Sequence, residues 1–193
     1  MKTLLTTLLV LVAQALSLPL ALNATEPNTT APHHIIENPK SDWTLNVELN
    51  HADGVYKVGE ELSLSVVAPR ECYMHIMNIN PRGELRVLWP LDEKFSSKVK
   101  PNEKVSFPSP EWKPSVSFKT TAPVGKEMII CFATTRPLNL HQEQDRKLLK
   151  EFLDGTEQKL GAKITAVRAF ITTVQQDEAG WTAKAIEVTT REN

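Results

Sequence analysis

Glycine is scarce in this 193-residue chain, with only seven, and the two nearest, Gly54 and Gly59, are five positions apart. No G-x-G dinucleotide loop, G-x-S-x-G nucleophile elbow or glycine-rich phosphate loop can be built at that spacing. Cysteine is scarcer still. Cys72 and Cys131 are the pair, so there is no C-x-x-C, and none of the five histidines stands in an H-E-x-x-H. An excess of either charge is also missing: 22 Lys+Arg face 23 Asp+Glu, a formal net charge of −1. A nucleic-acid or anionic-membrane binder is expected to carry a basic excess, and this chain has none. No repeat and no Gly- or Ser-rich tract interrupts it. What is present is a 41% apolar composition, enough to fill a core in a single domain.

The first 24 residues read as an export signal. Lys2 is the one charge before residue 24, and Leu4, Leu5, Leu8, Leu9, Val10, Leu11 and Val12 make an apolar centre of signal-peptide length. Cleavage is expected after Ala24, with Ala15 the alternative. An uncleaved anchor is disfavoured by Thr6, Thr7, Gln14 and Pro19. Removing residues 1–24 takes away only Lys2, leaving an exported protein, periplasmic or extracellular, with no stable membrane insertion. Residues 25–41 hold Pro27, Pro32 and Pro39 among Thr, Asn and His and are expected to be a flexible tether.

From residue 42 to 193 the pattern is that of one β-rich domain. Trp43, Leu45, Val47 and Leu49 alternate with polar residues, as do Leu62, Leu64 and Val66. Residues 72–79 and 128–133 are apolar on both faces and predict central strands. Prolines 90, 101, 108, 110, 114 and 123 divide the middle into edge strands and loops. One helix is predicted over 140–154, capped by Asn139 with Gln142 and ended by Gly155, with Leu148, Leu149, Phe152 and Leu153 as its apolar stripe. A hairpin of 164–174 and 181–190 is predicted to close the chain. The fold class that follows is mainly β: an antiparallel β-sandwich with one peripheral helix near the C-terminus. In an oxidising compartment Cys72 and Cys131 are expected to form a disulfide, the alternative being two buried thiols.

Tyr56-x-Val58-Gly59-Glu60-x-Leu62-x-Leu64, then Cys72-Tyr73 leading to Asn80-x-x-Gly83-x-x-x-x-Leu88-x-Pro90, then Pro123-x-Gly125-x-Glu127, resembles the bacterial domain of unknown function 4384. The resemblance spans about residues 43–136, and it differs in having Trp89 where phenylalanine is expected before Pro90. It implies an immunoglobulin-like sandwich in exported or envelope-associated proteins, sometimes attached to peptidase or kinase modules. The motif positions Tyr56, Gly59, Glu60, Tyr73, Gly83, Leu88, Pro90, Gly125 and Glu127 read as turn and core residues.

Candidate chemistry is thin. His51, His75 and His141 are the histidines in or near the folded region, and no catalytic residue, cofactor site or metal ligand is assigned. Cys72, Met74, His75 and Met77 would suit Cu(I), but strand alternation puts Cys72 and Met74 on one face and His75 and Met77 on the other. Trp112, within a proline-flanked stretch, is the candidate partner surface. The expected function is a non-catalytic exported module that binds another envelope or secreted protein. A periplasmic copper- or thiol-handling protein using Cys72 and His75 is the alternative, and regulation of a secreted peptidase a third reading.

Overall fold

The computed structural model describes residues 36–112, 116–154, 156 and 159–192. The expected signal segment and residues 25–35 of the expected tether lie outside them. The described strands are β1 (Asn46–Leu49), β2 (Val55–Lys57), β3 (Glu61–Leu62), β4 (Leu64–Val67), β5 (Cys72–Ile79), β6 (Leu85–Trp89), β7 (Lys98–Val99), β8 (Lys104–Phe107), β9 (Phe118–Lys119), β10 (Gly125–Thr134) and β11 (Trp181–Arg191). Two α-helices, α1 (Glu143–Asp154) and α2 (Leu160–Gln175), lie between β10 and β11. The chain is therefore predominantly β, with two helices near the C-terminus.

The largest sheet runs β2-β11-β10-β5-β6, with β7 also paired to β5. Its centre is where the sequence is apolar on successive residues. In β5, Cys72, Met74 and Ile76 enter one core cluster while Met77 and Ile79 enter a second; in β10, Ile129, Cys131 and Ala133 separate in the same way from Met128, Ile130 and Phe132. That is the two-residue period of a strand buried on both faces. The first cluster lies against β1-β4-β8; Val47, Leu64 and Val66 of that sheet are buried as their spacing predicts, and so are Trp43 and Leu45 in the extended segment that precedes β1, which begins at Asn46 rather than at Trp43. Ser63 divides the single strand expected from Leu62 to Val66. Its amide donates to Asn50 Oδ1 at 2.8 Å, and the chain passes from the β3-β9 pair to the β1-β4-β8 sheet.

The second cluster is covered by the helices, and here the expected hairpin is corrected. Residues 164–174 belong to helix α2, and β11 pairs instead with β10 through ten residues in antiparallel register. Ile164, Val167, Phe170 and Ile171 are buried at spacings of three and four, a helical stripe. The β-branched content of the segment favours strand locally, but the stripe matches the exposed apolar face of the sheet, and packing outweighs propensity. The helix expected over 140–154 begins at Glu143. Residues 139–142 form a turn instead, in which Asn139 Oδ1 accepts from the His141 amide, and Asp145 Oδ2 accepts from the Asn139 amide at 3.1 Å. Leu149 is buried and Leu148, Phe152 and Leu153 pack against the same cluster. Gly155, the expected helix end, is outside the described residues. Lys163 of α2 is buried and its ammonium donates to Leu153 O at 2.9 Å, placing a cation on the carbonyl end of α1.

The last part of the expected tether is anchored rather than free. Ile36 is buried in the helix-side cluster, and Asn38 Nδ2 donates to Glu178 O and Trp181 O. Among the described residues no helix is long and apolar enough to cross a membrane.

The expected disulfide is contradicted: Cys72 and Cys131 are both free and buried. They lie on neighbouring strands, but Cys131 stands opposite Ile76, four residues from Cys72. Four residues of strand separate the two positions by about 13 Å along the sheet, whereas a bridge needs Cα atoms within about 7 Å. Burial pushes the Cys72 thiol up to about 11 and the Cys131 thiol up to about 12. Both should therefore be unreactive. In the native protein a thiol-specific disulfide reagent at pH 8 should titrate neither cysteine within minutes, and in 6 M guanidinium it should titrate two. Reductant should leave the melting temperature unchanged. A melting temperature that falls on reduction would mean that a bridge exists.

Candidate functional site

Most motif residues hold turns and strand ends in place. Tyr56 is buried, its hydroxyl donates to Asn50 Oδ1 at 2.8 Å, and its ring stacks on His51 at 4.5 Å. Desolvation raises the Tyr56 pKa above its ordinary value. Gly59 has φ +88 in the turn 57–60, closed by the Glu60 amide on Lys57 O, and Glu60 Oε2 accepts from the Lys57 amide at 2.8 Å. A left-handed residue at that place in a turn is where glycine is favoured. His51 Nδ1–H donates to Val55 O at 3.0 Å, and Nε2 lies 3.5 Å from Glu60 Oε1.

The remaining motif positions act similarly. Gly83 follows the turn begun at Asn80, whose Oδ1 accepts the amides of Arg82 and Glu84. Gly125 has φ +140, and a Cβ there would lie 3.2 Å from Pro81 Cβ. Tyr73 sits in β5 opposite Lys98 and Thr134, half-buried. The Pro90 carbonyl accepts from His141 Nε2–H at 2.7 Å, tying the end of β6 to the approach of α1.

Glu127 does more. Its Oε2 accepts from Asn78 Nδ2 at 3.0 Å and its Oε1 from Thr190 Oγ1 at 2.5 Å. One carboxylate thus fastens β5, β10 and β11 together. Asn78 and Thr190 are buried, so each needs that partner.

Beside this clamp the described structure is open. β6 pairs only with β5, and β9 only with β3. Between them lies a groove of about 240 Å³ with Leu62, Leu88, Phe118 and Ile129 among its apolar lining, and Asn78, Glu127 and Thr120 on its polar wall. Arg86 comes from one side and Lys119 from the other, and Leu91 at the groove is 37% exposed. Leu88 and Glu127 are the motif positions that reach it. Arg86 and Lys119 carry no sequence signal, because isolated surface cations at positions 33 apart look like any solvated pair.

The other sequence candidates are not brought together. His75 and Met77 face the helix-side cluster, and Cys72 and Met74 the opposite one, as alternation predicts, so they cannot share one ion. Among the described residues no three of His, Cys, Asp and Glu gather as a metal site. His75 is fully buried, stacks on Phe132 at 4.8 Å, and neither ring nitrogen has a hydrogen-bond partner. Desolvation, with a smaller contribution from His141, brings its pKa down to about 3, so the ring is neutral. A neutral imidazole sealed from solvent has no route to a substrate. Trp112 ends the short 3₁₀ turn Pro110–Trp112. Its side chain and residues 113–115 lie outside what is described.

No curated protein matches the sequence. Residues 55–137, from the start of β2 to just beyond β10, match the family model described as Domain of unknown function (DUF4384), while α1, α2 and β11 lie outside the matched segment.

Proposed function

We propose that the protein is a non-catalytic, exported binding module, built as an immunoglobulin-like sandwich with an added helical layer, that engages another envelope or secreted protein. The observation that carries this reading is the groove between the unpaired edges of β6 and β9. Unpaired strand edges beside apolar lining are a common means of taking a protein partner. The motif residues support the same reading, because their polar atoms are engaged in turns and clamps rather than converging on a reacting position. Lys2 with the apolar run that follows it supports export.

In situ cross-linking of the tagged protein in its native envelope, followed by affinity capture and mass spectrometry, tests the reading. Leu91→Asp and Trp112→Ala should be run in parallel. A single partner whose yield drops at least fivefold in one of the variants is the expected result. Recovery of only the uncross-linked monomer would overturn it, as would turnover by the purified protein that is abolished by one histidine substitution.

A further inference from the structure

We infer that the β6/β9 groove takes an extended peptide segment that carries an apolar side chain flanked by acidic ones and hydrogen-bonds to the free edge of β6. This deepens the binding-module reading and rests on it. Three observations converge. First, β6 is the last strand of its sheet, so among the described residues half of its backbone donors and acceptors face no other strand. The β5–β6 register shifts between Ile76 opposite Trp89 and Met77 opposite Val87, which leaves Leu88 as the extra residue of a bulge. A bulge ends regular pairing, so it limits an added strand to the stretch 85–87 and sets where the peptide must turn toward the groove.

Second, the interior of the groove has room and apolar lining for an apolar side chain. It holds about 240 Å³ beside Leu62, Leu88, Phe118 and Ile129, with Leu91 exposed near it.

Third, the charges at the groove favour an acidic segment. Arg86 and Lys119 stand on its two sides. The Arg86 side chain is 60% exposed, and its carboxylate neighbour Glu84 is 3.9 Å away, at the outer limit of an ion pair. Lys119 stands opposite Glu61 across the β3-β9 ladder. Among the described residues, the one carboxylate lining the groove, Glu127, already accepts from Asn78 and Thr190. Among the described lining residues the two cations Arg86 and Lys119 outnumber the one carboxylate, and Glu127 is held at the polar wall, so a peptide carboxylate would go to Arg86 and Lys119. Side chains alternate along an extended peptide, so an acidic residue two positions from the apolar one would lie on the groove side.

The test is selection of phage-displayed random dodecapeptides on the full chain, with Arg86→Glu/Lys119→Glu as the counter-target. Both side chains are on the surface, and an unchanged circular dichroism spectrum and melting temperature would verify that the double variant is folded. Enriched sequences should carry an acidic residue two positions from an apolar one. The best synthetic peptide, measured by fluorescence anisotropy, should bind the double variant and Leu91→Asp at least tenfold more weakly. N-methylation of alternate backbone amides should weaken binding at least tenfold in one of the two phases. Failure to enrich any peptide over the counter-target would overturn the proposal. So would enrichment of basic sequences, or binding indifferent to both variants or to N-methylation. A cross-linked envelope partner whose capture ignores Arg86→Glu/Lys119→Glu would remove this groove yet leave the binding module standing. Absence of any partner would remove the module itself.

Discussion

Between pH 6.5 and about pH 3, the stability of the folded protein should fall by about 1.4 kcal/mol per pH unit through His75 alone. Its ring is fully buried against Phe132 with both nitrogens unpartnered, so protonation would place an uncompensated charge in an apolar cluster. The folded chain therefore keeps His75 neutral until about pH 3, whereas the unfolded chain takes up the proton near 6.5. Between these limits the unfolded state binds more protons, and stability rises with pH. The effect is absent above pH 7, grows through the acid range, and amounts to roughly 2–3 kcal/mol at pH 4.5. Titrating carboxylates overlap it below pH 5, so the measurement is a difference. Urea denaturation of the wild type and His75→Leu should give similar stabilities at pH 7.5, since Leu abandons no hydrogen bond. The variant should then be the more stable by about 2 kcal/mol or more at pH 4.5. Parallel pH profiles would show that His75 is not held neutral.

Glu127→Ala should destabilise the fold by about 2–4 kcal/mol, a drop in melting temperature of roughly 5–15 °C. The carboxylate itself is a modest loss; most of the cost lies in what it leaves behind. Asn78 Nδ2 and Thr190 Oγ1 are buried groups that each lose a charge-assisted partner at once. Because the clamp joins β5, β10 and β11, the loss falls on the centre of the largest sheet. Glu127→Gln keeps an acceptor of the same reach and should lose less than half as much. The pair of variants distinguishes a structural motif residue from a catalytic one. A Glu127→Ala protein with unchanged thermal and urea denaturation midpoints would contradict the clamp.

Much of the strand pattern was legible from side-chain alternation alone. Burial of one face demands a two-residue period, so Leu64 and Val66 report their strand directly, and Trp43, Leu45 and Val47 report the buried face that leads into β1. β5 and β10 announced themselves as central by being apolar on consecutive residues, because both faces of a middle layer are covered. The glycines of the motif were equally readable, since Gly59 and Gly83 stand where turns need left-handed backbone. The separation of Cys72 and Met74 from His75 and Met77 also followed from alternation.

Tertiary structure decided the rest, for reasons that local pattern does not contain. Residues 160–175 are helical because the second face of the sheet needed cover, and Ile164, Val167 and Ile171 satisfy a helical stripe as well as a β-branched strand. Whether two cysteines in neighbouring strands can bond depends on register. Here the register sets Cys131 opposite Ile76, four residues from Cys72, so two plausible partners became two buried thiols. The Glu127 clamp joins positions 78, 127 and 190, and the groove is lined by Arg86 on one side and Lys119 on the other. Those arrangements depend on strand order, which is set by how the layers pack and which edges remain unpaired. Alternation along the chain determines which face a residue occupies; only the assembled sheets determine which residue it meets there.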